Sequence, residues 1–183
     1  MAPSTATPPT FTRAVEDLRA VTTRPEITLE EVPAPQRLAP FAHAISGTVL
    51  RHGDEVATGR LILLHDPAGH DAWDGTMRLV TYVTAELEAE LATDPLLPGV
   101  GWSWLVDALD GHGAAYTAIG GTVTQTMSTR FGDLAGPPAA ADLEIRASWT
   151  PTTEDMQSHV HAWCALLAST AGLPPPGVTA LHA

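Results

Sequence analysis

The side chains most capable of chemistry are concentrated in one eleven-residue stretch, HDPAGHDAWDG, at residues 65–75. Imidazole and carboxylate groups ligate divalent metal ions, and they also act together as general acids and bases. His65 and His70 lie five residues apart, a spacing that permits both rings to meet around one point in a loop. The stretch therefore carries candidates for a catalytic site and for a metal site. The candidate catalytic residues are His65, His70 and Asp74, and the candidate metal ligands are His65, His70, Asp71 and Asp74.

The same stretch also has the composition of a β-hairpin connection. Asp66 is followed by proline, Ala68 by glycine and Asp74 by glycine, and each of these pairs favours a turn. A residue that shapes a turn needs no ligand to explain its presence. On this second interpretation, which we favour, the sequence assigns no catalytic residue, no metal ligand and no cofactor.

Three further groups carry weaker patterns. His161 and Cys164 are three residues apart and share one face of a predicted helix, but a structural zinc site needs four ligands. Ser103 lies in GWSWL, which lacks the second glycine of the G-x-S-x-G motif of hydrolases. The glycines of IGGTVT lie between strand-like segments with no phosphate-loop lysine after them, and they predict a bulge or bend.

The tryptophans predict a binding surface. Trp104 belongs to the apolar stripe of a helix predicted around residues 97–110, whereas Trp102 lies about 200° away around the same helix. One of the two must therefore face a different surface, where an aromatic side chain can mark a groove for a partner or ligand. We take Trp102 and Trp73 as the candidate binding residues. The alternative is that a loop or the N-terminal arm covers the outward-facing ring.

Composition excludes several classes of function. Twenty-one acidic residues against nine basic ones give a formal charge of −12, which disfavours nucleic acid and anionic membranes as partners. The nine basic residues are all arginine and are scattered along the sequence, so Schiff-base chemistry and a phosphate-loop lysine are impossible. One cysteine permits no internal disulfide, and the first ten residues lack the features of a secretory signal. We therefore expect a cytoplasmic protein.

The element pattern predicts an α+β fold. We expect the order α-β-β-β-α-β-β-α, in which helices pack on a mostly antiparallel sheet of about five strands. The segment 84–94, TAELEAELATD, fits both a period of two and a helix, and its strong helix formers favour a short helix. We divide the chain into a disordered leader at 1–9, a single domain at 10–173 and a flexible tail at 174–183. The type III secretion chaperone-like fold has the same element order, which is an analogy of fold alone.

Several long phrases resemble one known family. They include RPEITLEEVPAPQRLAPFA, LLHDPAGHDAWDGTMRLVTYV, DPLLPGVGWSWLVDAL and ADLEIRASWTP, and the likeness covers nearly the whole of residues 11–178. On these phrases the chain resembles the actinobacterial domain of unknown function DUF3000. The resemblance implies a cytoplasmic actinobacterial protein, and it implies no activity, cofactor or catalytic residue.

Two classes of function remain open. The first is a non-catalytic binding or adaptor module that uses a tryptophan-lined or sheet surface to bind a protein or a small apolar ligand. The second is a small metal-assisted hydrolase with its site on the loop at 65–74, which requires His65, His70 and Asp74 to converge. We favour the first, because no nucleophilic, hydrolytic or phosphate-binding constellation is found.

Overall fold

The computed structural model describes residues 6–88, 90–136 and 140–178, and it has an α+β fold as predicted. The described residues form three helices and six strands, with three short 3₁₀ turns among them. Their bounds are α1 Pro9–Ala20, β1 Ile27–Val32, β2 Phe41–Arg51, β3 Asp54–His70, β4 Gly75–Leu87, α2 Leu97–Gly111, β5 Tyr116–Ser128, β6 Ala140–Pro151 and α3 Met156–Thr170. Among the described residues, no helix combines the length and apolarity that crossing a membrane requires.

All six strands form one antiparallel sheet in the order β1-β2-β3-β4-β6-β5. The three helices pack on one face of it, and we call this the helix face and its opposite the open face. α3 crosses the middle of the helix face, where its Trp163 indole N–H donates a 2.8 Å hydrogen bond to Thr81 on β4. The strands alternate between the two faces, so each residue's face follows from its register.

The sequence alternates most clearly between apolar and polar residues over 142–149, which predicts a strand with one buried face, and the structure confirms it. In β6, Leu143, Ile145, Ala147 and Trp149 are buried beneath the helices, while the residues between them point to the open face. The helical spacing of Phe11, Ala14, Val15 and Leu18 predicts an amphipathic helix, and this is confirmed because all four are buried in α1. The sequence predicts that this helix stops near Thr23, because Arg24 precedes Pro25, but α1 runs from Pro9 to Ala20 and ends three residues earlier.

Two predictions about the sheet need correction. The sheet has six strands, not about five. The short helix favoured for 84–94 is wrong at its start, because β4 continues through Leu87 and pairs with β6 there. Ala85 is buried on the helix face of the sheet. Burying every second residue of this segment therefore outweighs the helix propensity of its alanines and glutamates. Between β4 and α2, the described residues form a 3₁₀ turn at Leu91–Thr93.

Glycines on the helix face let α3 approach the sheet closely. A Cβ added at Gly59 would lie 2.8 Å from Leu167 Cδ2 and 3.0 Å from Trp163 Cζ2. Gly47, its register partner on β2, meets the same two α3 residues at similar distances. The sheet therefore needs two glycines side by side to accept the bulky side chains of α3.

The ends of the chain are described in part. Of the leader predicted at 1–9, residues 1–5 lie outside the described residues, and Pro9 already belongs to α1. Of the tail predicted at 174–183, residues 179–183 lie outside the described residues. Pro174 is held by the side chain of Arg24, whose Nη1 donates a 2.8 Å hydrogen bond to its carbonyl oxygen.

Candidate functional site

The stretch at 65–75 is the tip of a hairpin. β3 runs up to His70 and β4 begins at Gly75, with a 3₁₀ turn at Asp71–Trp73 between them. Asp74 ends that turn in the left-handed conformation, with φ of 54°, which aspartate tolerates better than most residues. The turn chemistry of the sequence is therefore used in the structure.

His65 lies apart from the tip. Its ring is 4% exposed and is stacked against Phe11 of α1, with ring centroids 6.0 Å apart. Phe41 flanks it at 6.1 Å, and Nδ1 is 3.0 Å from the carbonyl oxygen of Thr76. His65 is thus part of the packing between α1 and the sheet.

The remaining polar residues of the tip bind their own backbone. His70 Nδ1 accepts a hydrogen bond from the amide of Ala72, and its ring stacks on Trp73 with centroids 5.0 Å apart. Asp66 accepts from the amide of Ala68. No three histidine, cysteine or acidic residues in the described part of the chain are grouped so as to hold a metal ion. The structure therefore does not bring His65, His70, Asp71 and Asp74 together around one ion.

The other sequence candidates also have local roles. Trp102 and Trp104 are both half-buried and pack against the hydrophobic core, so α2 presents neither ring fully to solvent. Ser103 donates a hydrogen bond to the carbonyl oxygen of Val100 one turn earlier. Cys164 is buried, and burial raises the pKa of its thiol to about 12, which leaves it unreactive at neutral pH. The His161 ring stacks on His112 instead, with centroids 6.4 Å apart.

A different group of residues comes together on the open face. Strand register places Arg60 of β3 opposite Tyr82 of β4, and Tyr82 opposite Arg146 of β6. Arg78 lies on the same face of β4, four residues before Tyr82. Three of the nine arginines of this acidic chain thus surround one patch of sheet.

That patch contains an open apolar groove of about 350 Å³. The groove crosses four strands, from β3 through β4 and β6 to β5. The residues that line it on the open face are Ile62, Val80, Tyr82, Gly120, Thr122, Arg146 and Ser148. Sites that bind small molecules combine such an apolar lining with a few placed polar groups.

Arg78 is the buried charge beside this groove. Its side chain is 8% exposed, and none of the ion pairs between described residues includes it. Nη1 donates to the Ala118 carbonyl oxygen at 2.8 Å and to Thr150 Oγ1 at 3.0 Å, and Nη2 donates to Ser148 Oγ at 2.8 Å. All three acceptors are neutral, so the positive charge has no carboxylate partner in the described structure.

The hydrogen-bond inventory of Arg78 is incomplete. A guanidinium has five N–H donors, and the three bonds above leave Nε–H and one Nη2–H without an acceptor among the described residues. Nε is not one of the enclosed atoms that lack a partner, so it remains accessible to solvent or to a ligand. Burial lowers the pKa of this guanidinium below its usual value, yet arginine keeps its charge at neutral pH. A buried cation with spare donors is the arrangement that an anionic group satisfies.

The edge strand is distorted at the point where it meets Arg78. The register between β5 and β6 shifts between Thr117 and Gly120, which marks a bulge. Ala118 in this bulge has φ of 50°, a left-handed conformation that is rare for a residue with a side chain. Its carbonyl oxygen is one of the acceptors of Arg78. IGGTVT predicted a bulge or bend, and the bulge lies at Ala118–Ile119, just before the two glycines, which themselves pair with β6. It places a strained backbone carbonyl against a buried charge.

Comparison with known proteins gives one match. A family model described as a protein of unknown function, DUF3000, matches residues 7–179. The chain belongs to the DUF3000 family. This match confirms the resemblance seen in the sequence, and it extends over the whole of the sheet and all three helices of this DUF3000 protein. Neither the curated proteins nor the solved structures contain a match to it, so the chaperone-like analogy stays a prediction.

Sequence reasoning missed the open-face site of this DUF3000 protein for a physical reason. The alternation in β6 already placed Arg146 on the polar side of its strand, but Arg60 and Arg78 lie far away in the chain. Only the pairing of β3, β4 and β6 brings the three together. The sequence offered one partial signal, the glycine pair at 120–121, which marked an unusual place in β5.

Proposed function

We propose that this protein is a non-catalytic binding protein whose open sheet face holds a small ligand with an apolar body and one anionic group, such as an organic carboxylate. The observation that carries the proposal is the buried charge of Arg78, which has no carboxylate partner and retains a spare Nε–H donor beside an apolar groove. The ligand supplies the missing anion, and its body lies on Ile62 and Val80.

The surrounding residues support the same assignment. Ser148 both lines the groove and accepts from Arg78, so an anion bound there lies next to the guanidinium. At the other end of the groove, the Arg146 guanidinium lies 5.2 Å from the centre of the Tyr82 ring, and Glu144 pairs with Arg146. Because Arg146 already forms an ion pair with Glu144, Arg78 is the better partner for a ligand's negative charge.

We further propose that the protein works in the cytoplasm of an actinobacterium. The family resemblance supports this location and origin. The single cysteine is buried with a raised pKa, which suits a chain that makes no disulfide.

A titration with two matched probes tests the proposal. Octanoate offers an eight-carbon body with a carboxylate, and octanol offers the same body without the charge. We expect octanoate to bind more tightly than octanol by about tenfold to a hundredfold, because a hydrogen bond to a charged group contributes about 1.5–3 kcal/mol. Calorimetry or chemical-shift titration measures both affinities.

Three variants locate the binding. Arg78→Met is expected to remove the preference for octanoate, and Gly120→Leu is expected to weaken both probes by filling the groove, since a Cβ at Gly120 has nothing within 4 Å. Arg130→Met removes an exposed arginine outside the groove and controls for net charge. Equal binding of both probes to the unmodified protein, or unchanged preference in Arg78→Met, contradicts the proposal.

A further inference from the structure

The two edges of the sheet differ in how well they are protected. β1, at one edge, is six residues long and carries Glu30 and Glu31, and Glu31 pairs with Arg19 of α1. Short strands and charged side chains are the usual means of keeping a sheet edge from pairing with another strand. The β1 edge therefore has the features of a sheet edge that does not pair with a strand of another molecule.

β5, at the other edge, lacks these protections. Its thirteen residues, YTAIGGTVTQTMS, include no charged residue and no proline. Within the described residues its backbone–backbone hydrogen bonds are made only with β6, so its outer row of N–H and C=O groups has no backbone partner. Beyond the bulge, nine residues from 120 to 128 pair regularly with β6, which leaves a straight edge about 30 Å long.

Charge identifies the kind of partner that fits this edge. The chain has a net charge of −12, so two copies repel each other over most of their surface. β5 is an uncharged strip within that surface, and an antiparallel twofold arrangement brings the strip of one copy against the same strip of the other. Such a contact is self-complementary and closed, whereas pairing β5 with the charged β1 edge would generate an open filament.

Exposed apolar side chains border the same edge. Met127 near the end of β5 is 55% exposed, and Phe131 and Leu134 in the following loop are 79% and 77% exposed. Leu96 at the start of α2 is 71% exposed, and the neighbouring Asp94 is tied to β5 through a hydrogen bond from Gln125. Large apolar side chains gathered around an unpaired strand are typical of an interaction surface.

We propose that two copies of this chain associate through their β5 edges, antiparallel about a twofold axis, to form one continuous sheet with six strands from each copy. The strand backbones supply the hydrogen bonds, and the apolar residues beside β5 supply the buried area. The ligand groove stays on the open face of each copy, so this assembly does not depend on the proposed ligand.

Sedimentation velocity on the full chain, with a matched pair of edge variants, tests the assembly. The unmodified protein is expected to have twice the 19.2 kDa mass of one chain. Thr124→Lys places a positive charge from each copy beside the twofold axis, and it is expected to give a monomer. Thr28→Lys makes the same change at an exposed position of the β1 edge and is expected to leave the dimer intact.

Hydrogen exchange separates this dimer from other assemblies. At dimer-forming concentrations the amides of residues 120–128 should exchange at least about tenfold more slowly than in the Thr124→Lys monomer. A second variant, Met127→Glu, gives the same readout if Thr124→Lys fails to fold. Each of four results would overturn the proposal. The unmodified protein sediments as a 19.2 kDa monomer at ~100 µM, or the dimer persists in both β5 variants. Alternatively, Thr28→Lys dissociates the dimer, or the β5 amides of the dimer are not protected from exchange.

Discussion

The indole N–H of Trp149 donates a 3.0 Å hydrogen bond to Nδ1 of His159, and both side chains are fully buried between β6 and α3. An indole nitrogen can only donate, so Nδ1 must be an acceptor and the proton of the neutral ring resides on Nε2. The only lone pair available for a second proton is therefore the one that Trp149 uses. Charging His159 breaks this contact.

This pair predicts a specific loss of stability in acid. Burial lowers the pKa of His159 from 6.5 to about 4, so the folded protein binds this proton less readily than the unfolded chain does. The free energy of unfolding should be independent of this group above pH 6.5 and should fall as the pH drops from 6.5 towards 4, by roughly 3 kcal/mol in total. Urea denaturation at a series of pH values measures the slope.

His159→Gln isolates the contribution of this residue. The glutamine amide oxygen can still accept from Trp149, but the side chain does not titrate. We expect a flatter stability profile in the variant, with the remaining slope due in part to His43, whose pKa is also lowered by burial. Identical profiles for the variant and the unmodified protein would show that His159 is not the neutral, buried group described above.

The glycines beneath α3 give a second prediction. Gly59→Ala brings a Cβ within 2.8 Å of Leu167 and 3.0 Å of Trp163, so α3 must move away from the sheet. We expect the free energy of unfolding to fall by about 1–3 kcal/mol, the usual cost of overpacking a core. Thermal or urea denaturation provides the measurement.

Gly99→Ala is the matched control for that substitution. Gly99 lies in α2, and a Cβ there meets nothing within 4 Å. Alanine favours the helix by up to about 1 kcal/mol over glycine, so this variant should be as stable as the unmodified protein or more so. Equal effects of the two substitutions would contradict the close approach of α3 to Gly59.

The two histidines of the hairpin should behave differently from each other. His65→Ala removes a buried ring packed between Phe11 and Phe41, and we expect a loss of about 2–4 kcal/mol in stability. His70→Ala removes an exposed ring that stacks on Trp73, and a change within about 0.5 kcal/mol is expected. Denaturation curves of both variants measure the two losses in free energy of unfolding. A large and equal loss in both variants would instead indicate that the two histidines share a site.

The fold could be predicted from the sequence where the signal was local. The alternation of Leu143, Ile145, Ala147 and Trp149 defined β6 and its buried face, and the stripe containing Phe11 and Leu18 defined α1. The prediction failed at the end of β4, where strong helix formers are held in a strand by the pairing of Leu87 with Ala141. Pairing between distant segments has no local signature.

The candidate site illustrates the same limit. The residues at 65–75 attracted attention because metal-ligand types are close together in sequence, yet His65 packs under α1 while His70 stays at the exposed tip. The sequence offered no reason to select Arg78, because its significance depends on its burial and on the lack of a carboxylate that pairs with it. Both properties arise from the sheet, which brings Ser148 and Ala118 to the guanidinium, while none of the ion pairs between described residues includes Arg78.

The Nε–H of Arg78 is the atom on which the proposed function depends, and NMR can observe it directly. In protein labelled with ¹⁵N, the Arg78 Nε–H signal is assigned by its absence from the spectrum of Arg78→Met. We predict that octanoate shifts this signal in a saturable manner, that octanol leaves it in place, and that the Arg130 signal responds to neither probe. An Arg78 signal that does not move while octanoate binds, or the same shift with octanol, would contradict the account of this groove as an anion-binding site.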